Sequence, residues 1–68
     1  MFRNLNAEQA RLGLTNTQVA EKIGISRVSY ENKKKSGKFT TSEAKMLCMV
    51  FSCSFDYLFA TDEETAAV

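Results

Sequence analysis

The sequence predicts an all-α fold, a compact bundle of about five short helices forming one domain. Three observations predict it. The chain has 68 residues, 44% hydrophobic and 25% charged, which suits one folded domain rather than a disordered segment. It has no proline and only three glycines, so few positions break a helix. Helix-start signals recur ahead of apolar residues spaced three and four apart.

The first helix spans about residues 3–12, starting near Arg3 or at the capping-box pattern Asn6-Ala7-Glu8-Gln9. Leu5 and Leu12 fall on one face, and Gly13 is placed to end it in a left-handed cap. Thr15-Asn16-Thr17-Gln18 is a second box, opening a helix over 16–23 with Val19, Ala20 and Ile23 as its apolar stripe. Gly24 stops that helix, and after the turn Gly24-Ile25-Ser26 the serine can cap a third helix over 27–35. Ser36-Gly37-Lys38-Phe39 reads as a loop with Phe39 plugging the core beneath it. Thr40-Thr41-Ser42-Glu43 is a third box, and the helix it opens, over 41–51, turns Ala44, Leu47, Cys48 and Phe51 inward. Ser54 can cap a last helix over 55–59, with Phe55, Leu58 and Phe59 on one face and Asp56 suited to its positive first turn. The domain is expected over residues 1–60, followed by a short, acidic, frayed tail at 61–68.

Composition narrows the function. Without histidine, the commonest general base and the commonest metal ligand are missing. No glycine-rich phosphate loop or carboxylate pair stands out, so an enzyme is not expected, nor a cofactor or metal. Two cysteines, Cys48 and Cys53, make neither a disulfide framework nor a four-ligand zinc site. With no signal-peptide core and no spanning apolar run, the expected compartment is the reducing cytoplasm, with no membrane partner.

The net charge of +1 conceals a polarised chain. Residues 22–38 carry Lys22, Arg27, Lys33, Lys34, Lys35 and Lys38 against Glu31, a net +5, and the remainder sums to −4. Lysine runs are usually solvated loops, so charge alone does not choose nucleic acid.

The stronger signal is the pair of helices around Gly24, which has the form of a helix-turn-helix. Ala20 lets the two helices approach, and Val19, Ile23, Ile25 and Tyr30 supply the apolar inner faces. Gly24 supplies the positive φ that the turn needs. Asn16 through Lys35 (NTQVAEKIGISRVSYENKKK) resembles the helix-turn-helix of the Cro and phage-repressor family, often called XRE, whose domains are lambda-repressor-like. Val19, Ala20, Ile23, Gly24, Ile25 and Tyr30 fall on that family's apolar, alanine and glycine positions. The segment Phe51-Ser52-Cys53-Ser54-Phe55-Asp56-Tyr57-Leu58-Phe59 is similar to the one closing the family's five-helix domain, so the likeness covers about residues 3–60. There are three departures from the pattern, the first being that Lys33 stands where the family is usually apolar, its stem expected to pack and its ammonium to reach water. Gln9 and Lys34 stand where an arginine–glutamate pair is common, with Glu8 as another candidate partner for Lys34. Asn16 replaces a glutamine.

The resemblance implies a sequence-specific, double-stranded DNA-binding transcriptional regulator, a small phage or prophage repressor of the Cro type. With Tyr30 facing inward, the third helix presents Arg27, Val28, Glu31 and Asn32 outward. Arg27 suits guanine O6 and N7, Asn32 suits adenine N6 and N7, and Val28 suits a thymine methyl. Glu31 is expected to pair with Lys35 rather than to read cytosine. Phosphate contacts are expected from Asn16, Thr17, Ser29, Lys35 and Lys38, with one of lysines 33–35 pointing to bulk water.

A lone module binds DNA weakly, so a homodimer on a pseudo-palindromic operator is expected, its half-sites about 34 Å apart. The expected dimer surface combines Met49 and Val50 with Phe55 and Phe59; the alternative is that these fill gaps in a wide core. No small-molecule ligand is expected, so control would come through concentration and oligomerisation. The rival reading is a protein-interaction module on the same fold without specific DNA readout, an antirepressor, antitoxin or polymerase-component binder.

Overall fold

A computed structural model describes residues 2–61. Five helices follow one another: α1 (Arg3–Arg11), α2 (Asn16–Ile23), α3 (Arg27–Ser36), α4 (Thr41–Phe51) and α5 (Phe55–Leu58). There is no strand among the described residues. Of the expected tail at 61–68, residues 62–68 lie outside them.

Local chemistry explains most boundaries. At the starts of α2 and α4, Thr15 and Thr40 accept from the Gln18 and Glu43 amides at 3.1 Å, and those side chains reach back to the threonine N–H at 2.9 Å. Ser26 and Ser54 cap α3 and α5 through the Ser29 and Tyr57 amides. Three helix ends share one arrangement. After α1, Gly13 N–H donates to the Ala10 carbonyl and Leu14 N–H to that of Gln9; Gly24 and Ile25 repeat the pair after α2, and Ser52 and Cys53 after α4. This motif requires a left-handed residue. The first two use glycine at φ 68° and 77°, while Ser52 adopts φ 53°. The third helix ends in a single tighter bond, from Gly37 N–H to the Lys33 carbonyl at 2.7 Å.

At the N-terminus, α1 takes the earlier of its two expected starts, Arg3, and Leu12 just past its end is exposed. The pattern at Asn6 is not a helix start, because α1 begins at Arg3 after Phe2, with no side-chain cap. Phe2 is buried and meets Phe59 edge-on, with ring centroids 5.4 Å apart, so packing rather than capping sets the entry. Leu12 is not a core residue. Leu12 follows α1 in αR conformation, its N–H still bonded to the Glu8 carbonyl at 3.1 Å, but it is 41% exposed, and Leu14 packs against the core instead. Two bounds also shift slightly: α3 runs one residue further, to Ser36, and α5 ends at Leu58.

The core joins Phe2, Leu5, Val19, Ala20, Ile23, Tyr30, Leu47, Phe51 and Leu58. Each large side chain among them contributes about 1.5–3 kcal/mol on burial. Phe39 packs against the core beneath the α3–α4 loop, its ring beside those of Phe2, Tyr30 and Phe59. The short α5 is held on α1 by Asn4 Nδ2 donating to the Tyr57 carbonyl and by Tyr57 Oη donating to Glu8. The consequence for function is that α2 and α3 pack closely across the three-residue turn, a helix-turn-helix that buries Tyr30 and turns the opposite face of α3 outward.

Candidate nucleic-acid interface

The outer face of α3 carries Arg27, Val28, Asn32 and Lys35, all exposed, with Val28 at 53%. They fall on one side of the helix because Tyr30 is fully buried on the other. Thr17 in the first turn of α2 and Lys38 past α3 are exposed, and Ser29 is half-buried. Val19, Ala20 and Ile23 are buried as expected, Ile25 packs against them, and Gly24 holds the left-handed turn conformation.

Several polar residues find partners other than the expected ones. Glu31 pairs with Arg27, not Lys35: Arg27 Nη1 donates to its two carboxylate oxygens at 2.8 and 3.0 Å. Asn16 Nδ2 donates to the same carboxylate at 3.0 Å, a bond across helices that no local pattern reveals. These donors, Asn16 first and Arg27 second, hold the Glu31 carboxyl below its ordinary pKa.

Asn16 is therefore turned inward. Its Oδ1 accepts from Gln9 Nε2 at 2.9 Å and from Lys34 Nζ at 3.0 Å. That leaves the Thr17 side chain and the first amides of α2 as the outward groups at this helix start.

The buried Tyr30 donates through Oη to Gln9 Oε1 at 2.8 Å, and burial pushes its phenol pKa up. Lys34 sits 4.8 Å from the Tyr30 ring centroid and reaches Asn6 and Asn16, with Gln9 at 3.5 Å. Desolvation lowers its pKa, against the opposing field of Glu31. Glu8 is not its partner, because it bonds Arg11 at 2.8 Å and Tyr57 at 3.0 Å. Lys33 also departs from expectation. Its ammonium meets both Glu43 oxygens at 2.7 Å, bridging α3 to the start of α4, while its side chain keeps 26% of its exposure. Of lysines 33–35, only Lys35 is exposed.

A second surface lies on α4 and α5. An open apolar groove of about 810 Å³ is lined by Phe39, Ala44, Cys48, Met49 and Phe55, with Lys45 at its edge. Met49 is 78% and Phe55 59% exposed. Val50 and Phe59 are instead half-buried against the core, so only part of the expected dimer surface faces outward. Among the described residues, no cluster of three or more candidate ligands could hold a metal ion, and no helix is long and apolar enough to cross a membrane. No family model, curated protein or solved structure matches this chain.

Proposed function

We propose that the protein is a sequence-specific, double-stranded DNA-binding regulator in a Cro-type role, cytoplasmic and non-enzymatic, with α3 lying in the major groove. The outer face of α3 carries this reading. A guanidinium, a carboxamide, an apolar tip and an ammonium (Arg27, Asn32, Val28 and Lys35) share one exposed side of a helix whose other side is anchored in the core. A major groove admits one such helix, and these groups match guanine, adenine, the thymine methyl and phosphate respectively. Thr17 with the first amides of α2, together with Ser29 and Lys38, supplies further phosphate donors that fix register without reading sequence. Two copies on a pseudo-palindromic site would raise affinity, with Met49 and Phe55 as the outward apolar groups available for pairing.

Selection of bound sequences from a random duplex pool at low salt tests this. A defined motif is expected, with Arg27→Ala relaxing a guanine position and Asn32→Ala an adenine position, each by about 1–3 kcal/mol. No motif from the unaltered protein defeats the proposal. The apolar groove favours a second reading, a protein-interaction module. That reading gains if the same pool yields nothing while Met49→Lys abolishes binding to a purified protein partner.

A further inference from the structure

Arg27 stands at the end of a hydrogen-bonded chain that begins in the core. Tyr30 Oη donates to Gln9 Oε1, Gln9 Nε2 donates to Asn16 Oδ1, Asn16 Nδ2 donates to Glu31, and Glu31 accepts from Arg27. Each bond fixes the next. The phenol can only donate here because Gln9 offers its carbonyl oxygen, which turns the Gln9 amide nitrogen toward Asn16. Asn16 must then present its own oxygen to Gln9 and to Lys34, an obligatory donor, and its nitrogen to Glu31. No member of the chain is free to flip alone.

The far end has a specific geometry. Both Arg27 contacts to Glu31 run through Nη1, so the Nε–Nη2 edge of the guanidinium is not used in them. That edge is a two-donor fork of the kind that matches guanine O6 and N7. A long exposed arginine left alone samples many rotamers and loses that freedom on binding. An arginine already held by one nitrogen, with its fork outward, loses less.

We propose that Asn16 and Gln9 are specificity-determining positioning residues, which act through Glu31 to hold the Arg27 fork for one guanine without touching DNA. This rests on the DNA-reading proposal above and goes beyond it, because it moves part of the sequence preference onto α1 and α2. It also assigns Asn16 a different task from a phosphate contact.

The test compares the unaltered protein with Asn16→Ala, Asn16→Gln and Arg27→Ala in the random-pool selection, together with salt titrations and nitrogen-15 spectra of the Arg27 side chain. In the expected result, Asn16→Ala relaxes the same guanine position as Arg27→Ala, by about tenfold, while the salt slope stays unchanged. Asn16→Gln, which keeps the amide, restores most of the preference. The Arg27 guanidinium rotates slowly in the unaltered protein and freely in Asn16→Ala. If Asn16→Ala keeps the guanine preference that Arg27→Ala loses, the positioning role is overturned and the DNA-reading proposal survives. If the salt slope falls by about one with Asn16→Ala, the residue is a phosphate contact and the positioning role is again overturned. If Arg27 rotates equally freely in both proteins, the chain does not hold it, whatever the DNA result. A pool without any motif removes both proposals.

Discussion

Lys33 is the residue at which charge and packing pull in different directions. A lysine on the inner side of α3 must either send its ammonium to water or find an anion, and Glu43 provides one at 2.7 Å. The two side chains retain only 26% and 12% of their exposure, so the pair is screened less than a surface bridge. Glu43 also closes the α4 capping box through the Thr40 amide. Lys33 first, and that amide second, hold its carboxyl below the ordinary value. A carboxylate with a depressed folded pKa binds fewer protons than in the unfolded chain, so its stabilisation is present above the unfolded value of about 4.3. It is lost as pH falls through the folded value. Glu43→Gln keeps an acceptor for Thr40 but leaves the Lys33 ammonium half-buried without its counter-charge. Denaturant unfolding at neutral pH should show a loss of about 1–3 kcal/mol, and a shallower fall of stability below pH 4. Adding Lys33→Met should recover most of that loss, because replacing both partners removes the stranded charge. A double variant no more stable than Glu43→Gln would mean that the bridge does not couple the two residues. Glu8 and Glu31 are lowered as well, by Arg11 and by Asn16 respectively as the largest causes, so the acid limb should weaken rather than vanish.

Helix ends are where the chain's local rules are clearest, and one end breaks them. Gly24 sits at φ 77°, and a Cβ built there meets no atom within 4 Å. Gly24→Ala should therefore cost only the left-handed backbone penalty of about 1–2 kcal/mol, with the fold intact. Ser52 is the converse case: it ends α4 at φ 53° with the same pair of hydrogen bonds that glycine supports after α1 and α2. Ser52→Gly should raise the melting temperature, by up to about 1 kcal/mol of stability, since the relief of backbone strain exceeds the added freedom of the unfolded chain. A melting point lowered by this change would show that the serine is not strained there. These elements were legible in the sequence because caps and glycine stops act within four residues. Thr15 with Gln18, Thr40 with Glu43, and glycines 13, 24 and 37 each identify a boundary without any tertiary information. The candidate site was legible to the same depth. Burial of Tyr30 predicts the outward set of Arg27, Val28 and Asn32, because helical geometry alone relates them. The links of Asn16 to Glu31, Gln9 to Tyr30 and Lys33 to Glu43 were not legible, since they span 15, 21 and 10 residues and depend on how helices dock. The choice between the two expected starts of α1 has the same origin: the local pattern at Asn6 was sound, but α1 starts at Arg3, where Phe2 is buried.

At the scale of the whole molecule, a net charge of +1 is a poor guide to how the protein would meet the proposed DNA partner. The basic segment sums to +5, yet its lysines are not equivalent. Lys33 is neutralised by Glu43, Lys34 is drawn into the cluster of Asn6, Gln9 and Asn16, and Arg27 is tied to Glu31. That leaves Lys22 on α2 and Lys35 and Lys38 on or just beyond α3 as the exposed cations of the segment, with Lys45 on α4 lining the apolar groove. DNA affinity falls with salt in proportion to the number of phosphates neutralised, so the footprint can be counted from the slope. Lys35→Ala and Lys38→Ala should each reduce that slope by about one, whereas Lys45→Ala should leave it unchanged. An equal change from all three would mean that the protein is attracted by its diffuse field and not held by a defined face. Glu43→Gln separates these possibilities further. It raises the net charge without adding a cation on the outer face of α3, so a steeper slope in that variant would favour the diffuse field, while an unchanged slope would leave Lys35 and Lys38 as the positions that set the register of α3.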